Sequence, residues 1–182
     1  MPIDHHLVAV LSYYRSAELH GAALLLRVLA RMPHNPAMQV QLTRHVADET
    51  RHAWLWTQRI IDMGATPASV KLGYQERLGL RLRPRGIAEL FALSILVERR
   101  SLERYSAHVS RQNVDPQTRK VLRAVMADEA WHVESLMQHL GDLSLIAEER
   151  LRLDTTIERF RVVEQEVFDT LVSMEGDGVR VA

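Results

Sequence analysis

Hydrophobic residues recur along most of this chain at intervals of three and four positions, which places them on one face of an α-helix. In the first segment they are Leu7, Val10, Leu11, Leu24, Leu25, Val28 and Leu29. With the breaks at proline and glycine, the pattern predicts five helices, at about 4–31, 36–64, 87–112, 116–141 and 143–174. We therefore expect an all-α protein.

The predicted turns carry strong helix-start signals. Asn35 precedes Pro36, and Asp115 precedes Pro116, so each helix would begin with a capping side chain and a proline at its first position. Pro33 is expected to end the first helix. Because these turns are short, the first two helices, and the next two, must run antiparallel.

The segment 65–86 is too interrupted by proline and glycine to form one continuous helix, but it is long enough to travel the length of a bundle. This connection predicts a four-helix bundle with one long crossover. We expect one domain over 1–182, in which the bundle occupies 1–141 and a C-terminal helix and tail occupy 142–182.

An internal repeat relates residues 18–56 to residues 98–136. The identical pairs are Glu18/Glu98, Arg31/Arg111, Pro36/Pro116, Leu42/Leu122, Ala47/Ala127, Asp48/Asp128, Glu49/Glu129 and His52/His132. One Glu-x-x-His motif could arise by chance in such a chain. Two of them, at equivalent places of a repeat, indicate a shared chemical role.

Six residues of the repeat are candidate metal ligands. A Glu and a His three positions apart share a helix face, so both can reach one point in a bundle core. Four carboxylates and two imidazoles that converge there would form a two-metal site. The predicted ligands are Glu18, Glu49, His52, Glu98, Glu129 and His132.

Composition narrows the function classes. The 182 residues are 47% hydrophobic, enough for a substantial core, and the formal net charge of zero argues against nucleic-acid binding by bulk electrostatics. The chain has no cysteine, which excludes thiolate metal sites and iron–sulfur clusters. We see no targeting segment or membrane span, so the expected location is cytoplasmic, without membrane association.

The order Glu, Glu-x-x-His, Glu, Glu-x-x-His around a crossover resembles the ferritin-like di-iron carboxylate superfamily, which includes rubrerythrins, bacterioferritins and di-iron oxygenases. The resemblance covers residues 5–140. It implies that Glu18 and Glu98 each serve one metal, that Glu49 and Glu129 bridge, and that the two motif histidines are terminal ligands. Iron is the implied metal, with manganese or a mixed pair as alternatives.

The chain differs from rubrerythrins and bacterioferritins at particular residues, and these differences narrow the choice of subfamily. The rubredoxin module of a complete rubrerythrin needs cysteine, and Ser101 stands where rubrerythrins often carry a further Glu. Thr50 stands where bacterioferritins carry their haem-ligating Met, so no haem is expected. Reducing equivalents would then come from an external electron donor or from a substrate.

The resemblance implies an oxidoreductase that activates dioxygen or peroxide to oxidise a small organic substrate. Residues 48–52 are similar to the acidic-Glu-x-Arg-His signature of di-iron oxygenases. The alternatives are a ferroxidase or iron-storage protein, a peroxide-detoxifying rubrerythrin-like protein, a tRNA-modifying di-iron hydroxylase and a metal-free interaction module.

Several residues are candidates for supporting roles. Asp48 and Asp128 are predicted to accept the second ring N–H of the histidine in the opposite motif. Tyr14 and Tyr105 are candidate hydrogen-bond donors in catalysis, and His45 is a candidate proton relay. Each of these three could instead be a core residue with a satisfied polar tip.

Two surface features are predicted outside the bundle core. The C-terminal helix carries an apolar stripe, which could pack on the bundle or on a second subunit, and we favour a homodimer. The stripe consists of Ile146, Leu153, Ile157, Phe160, Val167, Leu171 and Met174. Arginines at 77, 81, 83 and 85 could bind an anionic partner, although such a run is usually a solvated face.

Overall fold

The computed structural model describes residues 3–30 and 35–176, and these residues form six helices. They are α1 (His5–Leu29), α2 (Pro36–Asp62), α3 (Tyr74–Arg81), α4 (Ile87–Val109), α5 (Pro116–Gly141) and α6 (Ala147–Gly176). Helices α1 and α2 pack together, as do α4 and α5, and α2 contacts α5 across the centre. The predicted all-α bundle with one long crossover is confirmed.

Three of the helices begin where the predicted capping residues stand. Asp4, Asn35 and Asp115 each accept a hydrogen bond from a backbone N–H of the first turn, at 3.0–3.1 Å. These bonds satisfy backbone donors that a helix start leaves unpaired. The expected helix stop at Pro33 and the tail at 177–182 lie outside the described residues.

The crossover contains a short helix that the sequence reading did not predict. In α3, Glu76 accepts a hydrogen bond from the N–H of Gly73 at 2.9 Å, which stabilises the start of the helix. The helix packs against α1 and α6. The crossover is therefore a layer over α1 as well as a connection.

Helix α6 begins four residues later than the predicted 143 and lies across α3 and α4. Leu153, Phe160, Val167 and Leu171 of its apolar stripe are buried within this chain. Other residues of the same chain therefore bury these four side chains, and no second subunit is needed to cover them. The homodimer stays a prediction that this packing does not support.

A buried ion pair joins three of these elements. Glu164 of α6 accepts hydrogen bonds from the Tyr74 hydroxyl at 2.6 Å and from the Arg100 guanidinium at 2.7 and 2.8 Å. Arg81, one of the arginines proposed for an anionic partner, pairs with Glu166. Within the described residues, no helix is both long and apolar enough to span a membrane.

Candidate metal centre

The six predicted ligands all point into the bundle core from its four long helices. Glu18 lies on α1 and Glu98 on α4, while each Glu-x-x-His motif lies on α2 or α5. None of the six is more than 8% exposed. Each helix thus delivers its donors to one buried volume, as the 3.6-residue periodicity requires.

The donor atoms form two groups, and in each group one atom from every residue lies within 4.8 Å of the others. One group consists of Glu18, Glu49, His52 and Glu129, and the other consists of His45, Glu49, Glu98 and His132. Glu49 belongs to both groups. This arrangement fits one cation in each group, with Glu49 able to contact both cations.

Glu129 also spans the two groups. Its Oε1 lies 3.2 Å from Nδ1 of His52, and its Oε2 lies 3.1 Å from Nδ1 of His132. Its two carboxylate oxygens therefore face different motif histidines. This placement is compatible with the bridging role that the resemblance implies for Glu129.

His45 lies among the donors of the second group, although the sequence suggested a proton relay. Its Nε2 is 3.3 Å from Oε1 of Glu98 and 3.5 Å from Oε1 of Glu49, and its ring stacks on His132 with centroids 3.6 Å apart. Within the described part of the chain, this nitrogen makes no hydrogen bond. A buried imidazole nitrogen that faces two carboxylates without such a bond fits a metal ligand.

The electrostatics of the cluster favour bound cations. Burial raises the pKa of the Glu49 carboxyl well above its usual range, and the neighbouring carboxylates, first that of Glu98, raise it further. Burial, followed by the nearby carboxylates, also raises the pKa values of Glu98 and Glu129. Divalent cations would relieve this repulsion because they stabilise the ionised carboxylates.

The two motif histidines differ in their surroundings. Burial opposes a charge on His52, but hydrogen bonds to Glu129 and Glu18 outweigh it and raise the pKa of His52 to about 11. Burial and the adjacent His45 lower the pKa of His132 to about 3. Two carboxylates thus stabilise a proton on His52, whereas burial and the neighbouring imidazole disfavour one on His132.

Each of the two aspartates lies on the outer side of the histidine in the opposite motif. Nε2 of His52 is 3.1 Å from Oδ2 of Asp128, whereas Nε2 of His132 is 3.6 Å from Oδ2 of Asp48. Only the first distance is that of a hydrogen bond. Arg51 binds both aspartates from the outside and holds Asp128 beside His52.

Tyr105 contacts a predicted ligand directly. Its hydroxyl donates a hydrogen bond to Oε1 of Glu18, and Nε1 of Trp56 donates to the same oxygen at 3.3 Å. The Tyr14 hydroxyl lies 3.2 Å from Nδ1 of His108, and the Tyr14 ring packs edge-on against Tyr105. Of the two tyrosines proposed for catalysis, Tyr105 is thus the one placed at the ligands.

Sequence reasoning missed two residues beside the site. Gly21 lies so close to Glu49 that a Cβ there would be 2.2 Å from Oε2, and Nε2 of Gln75 lies 3.9 Å from the same point. A glycine inside a helix costs about 1 kcal/mol relative to alanine, so Gly21 could have signalled a close approach. Gln75 had no such signal, because its position depends on the path of the crossover.

The fold is similar to that of a solved structure described as "Protein 43 with aldehyde deformylating oxygenase activity from Synechococcus". The two chains share 20% sequence identity with a TM-score of 0.77, over 90% of this chain and 81% of that chain. Comparisons with protein-family models and with curated proteins find no match. The structural likeness confirms the predicted ferritin-like fold, and the chemistry must be argued from the donor groups.

Proposed function

We propose that this protein is a dinuclear metal oxidoreductase that activates dioxygen or peroxide to oxidise a small organic substrate. The observation that carries the proposal is the pair of buried donor groups that share Glu49. The oxygenase activity named for the structurally similar Synechococcus protein supports the same class of reaction. Iron is the expected metal, with manganese or a mixed pair as the alternative.

The seven residues of the two donor groups, which are the six predicted ligands and His45, would hold the metals. A bound iron pair would supply the redox chemistry for oxygen activation. The surrounding residues hold those donors in place. Tyr105 and Trp56 donate hydrogen bonds to Glu18 and so restrict the orientation of its carboxylate. Asp128 holds the His52 ring from its outer nitrogen.

Aromatic side chains exclude water on the Glu18 side of the site. Trp56, Tyr14 and Tyr105 pack against one another with centroids 4.8–5.7 Å apart. Exclusion of water strengthens the interactions between charges and donors within the site. Since the chain contains no cysteine, we expect reducing equivalents from an external donor or from the substrate.

Anaerobic loading with ferrous iron tests the proposal. We expect two iron ions bound per chain, oxygen consumption that requires a reductant, and no mineral growth when excess iron is added. Failure to bind iron stoichiometrically would remove the dinuclear proposal. Continued iron uptake far beyond two ions per chain would instead indicate the ferroxidase or storage alternative, which the carboxylate-rich donor set also suits.

A further inference from the structure

A cavity of about 350 Å³ lies between α1, α3 and α4 and reaches Glu98 of the second donor group. Its walls are largely aliphatic and include Leu24, Leu25, Leu78, Leu82, Leu90 and Leu93. The volume falls within the range of roughly 300–1,000 Å³ that is typical of small-molecule sites. An apolar cavity that ends at a metal-ligand candidate is suited to bring an organic molecule to that side of the site.

The repeat explains why the space lies beside Glu98. Tyr14 and Tyr105 pack beside Glu18, and their counterparts in the repeat, Ser94 and Leu25, line the cavity. Because Ser94 and Leu25 are smaller than tyrosine, they leave space beside Glu98, whereas the two tyrosines fill the equivalent space beside Glu18. Access to the donor groups is therefore open on one side of the repeat.

Gly21, Gln75 and Glu98 line the side of the cavity that lies nearest the donor groups. Gly21 has no side chain, and a Cβ there would lie 2.2 Å from Oε2 of Glu49, so this carboxylate lies next to the glycine. Oε1 of Gln75 is buried and, within the described residues, accepts no hydrogen bond. An amide can accept or donate, so it suits a neutral polar group, whereas the buried carboxylates repel an anion.

We propose that this cavity binds an uncharged organic molecule with an aliphatic body and one neutral polar group. The aliphatic body lies along the leucine wall, and the polar group meets Gln75 next to Glu98. This inference deepens the proposed function and rests on it for the reaction, but the binding step itself can be measured without turnover.

The substrate class is tested by calorimetric titration of the full-length protein, metal-free and zinc-loaded, with 1-octanol and octanoate. We expect saturable binding of one octanol per chain in both forms. In the metal-free protein, where no cation neutralises the buried carboxylates, we expect at least tenfold weaker binding of octanoate. Absence of saturable octanol binding, or equal affinity of the metal-free protein for octanoate, would overturn the proposal.

Gly79→Leu tests the location of the octanol site. Gly79 lines the cavity on α3. Among the described residues, apart from its chain neighbours and its own helix backbone, no atom lies within 4 Å of the position its Cβ would take, so a leucine can enter the open space. We expect at least tenfold weaker octanol binding with an unchanged melting temperature. Gly141→Leu is the matched control, because it adds the same side chain to another helical glycine with open space, away from the cavity.

Gln75→Leu tests the polar contact. Loss of one hydrogen bond should weaken octanol binding roughly two- to tenfold while the circular-dichroism spectrum and melting temperature are retained. Binding equal to wild type in Gly79→Leu or in Gln75→Leu would refute the assigned pose. If the protein binds two irons but no octanol, the cavity proposal fails and the proposed function stands. If it binds octanol but no metal, the proposed function fails and the cavity proposal stands.

Discussion

The two halves of the repeat present equivalent ligands in different surroundings. Beside Glu18 stand three aromatic residues, Tyr14, Trp56 and Tyr105, whereas the equivalent positions beside Glu98 are Ser94, Leu136 and Leu25. The three aromatic residues pack together, and Trp56 and Tyr105 donate hydrogen bonds to Glu18, whereas Ser94 and Leu25 of the second set line a cavity. The repeat has thus kept its donors while the neighbouring residues make one side closed and the other open.

The donor groups differ in composition as well. One group has three carboxylates and one imidazole, and the other has two carboxylates and two imidazoles, because His45 joins the second group. The repeat counterpart of His45 is Val125, which cannot bind a metal. Imidazole and carboxylate ligands favour different metals, so the two positions are not chemically equivalent.

Glu49→Gln should have the largest effect, because Glu49 belongs to both donor groups. The substitution removes a charge and an oxygen donor with little change of shape. We expect metal content to fall from two ions per chain to less than one, measured by elemental analysis after gel filtration.

Glu134→Gln is the control for that loss, since Glu134 is exposed on the same α5 helix as the second motif. It should bind metal as the wild type does. Wild-type metal content in Glu49→Gln would show that Glu49 does not join the two groups.

Tyr14→Ser makes the closed side resemble the open side. Removing a buried aromatic ring should lower the free energy of unfolding by about 3–5 kcal/mol, as for other large-to-small core changes. Denaturant unfolding measures this change. An effect below about 1 kcal/mol would show that the aromatic packing beside Glu18 contributes little to the folded state.

Ser94→Tyr is the reverse substitution and should close the cavity instead. We expect it to reduce octanol binding while leaving the Glu18 side intact. Strong octanol binding in Ser94→Tyr would contradict the proposed basis of the open side.

His45→Val converts His45 into its counterpart in the repeat. We expect the affinity of one metal position to fall roughly 10- to 100-fold, with the other position retained, because His45 is a member of the second donor group and not of the first. Competition with a metal-binding dye, fitted to two sites, separates the two affinities. Equal weakening of both positions, or of neither, would contradict this assignment.

The two aspartates should give the smallest effects, and these effects should be unequal. Asp128→Asn removes the charge from an aspartate 3.1 Å from the His52 ring, whereas Asp48→Asn changes one 3.6 Å from the His132 ring. We expect about tenfold weaker metal binding for Asp128→Asn and a smaller change for Asp48→Asn. Equal effects, measured by the same dye competition, would show that the difference in distance has no consequence.

Much of the fold could be predicted because its determinants are local. Asn35 and Asp115 cap helices with side chains a few residues from the backbone groups they bind, and the Glu-x-x-His spacing places two donors on one helix face. The site was harder to predict where it draws on distant segments. The position of His45 four residues before Glu49 indicated that it faces the site, but only the tertiary structure shows that its ring meets Glu98 of α4 and stacks on His132 of α5.

By itself, the sequence determined the helical bundle, the crossover and the six buried donors, because periodicity and repeat spacing act within single helices. Only the tertiary structure decided that the apolar residues of α6 are buried within the chain, that the absent side chain of Gly21 leaves space for Glu49, and that Gln75 lines the cavity beside Glu98. These contacts join side chains far apart in sequence, and their distances depend on how helices pack rather than on the residues of any one helix.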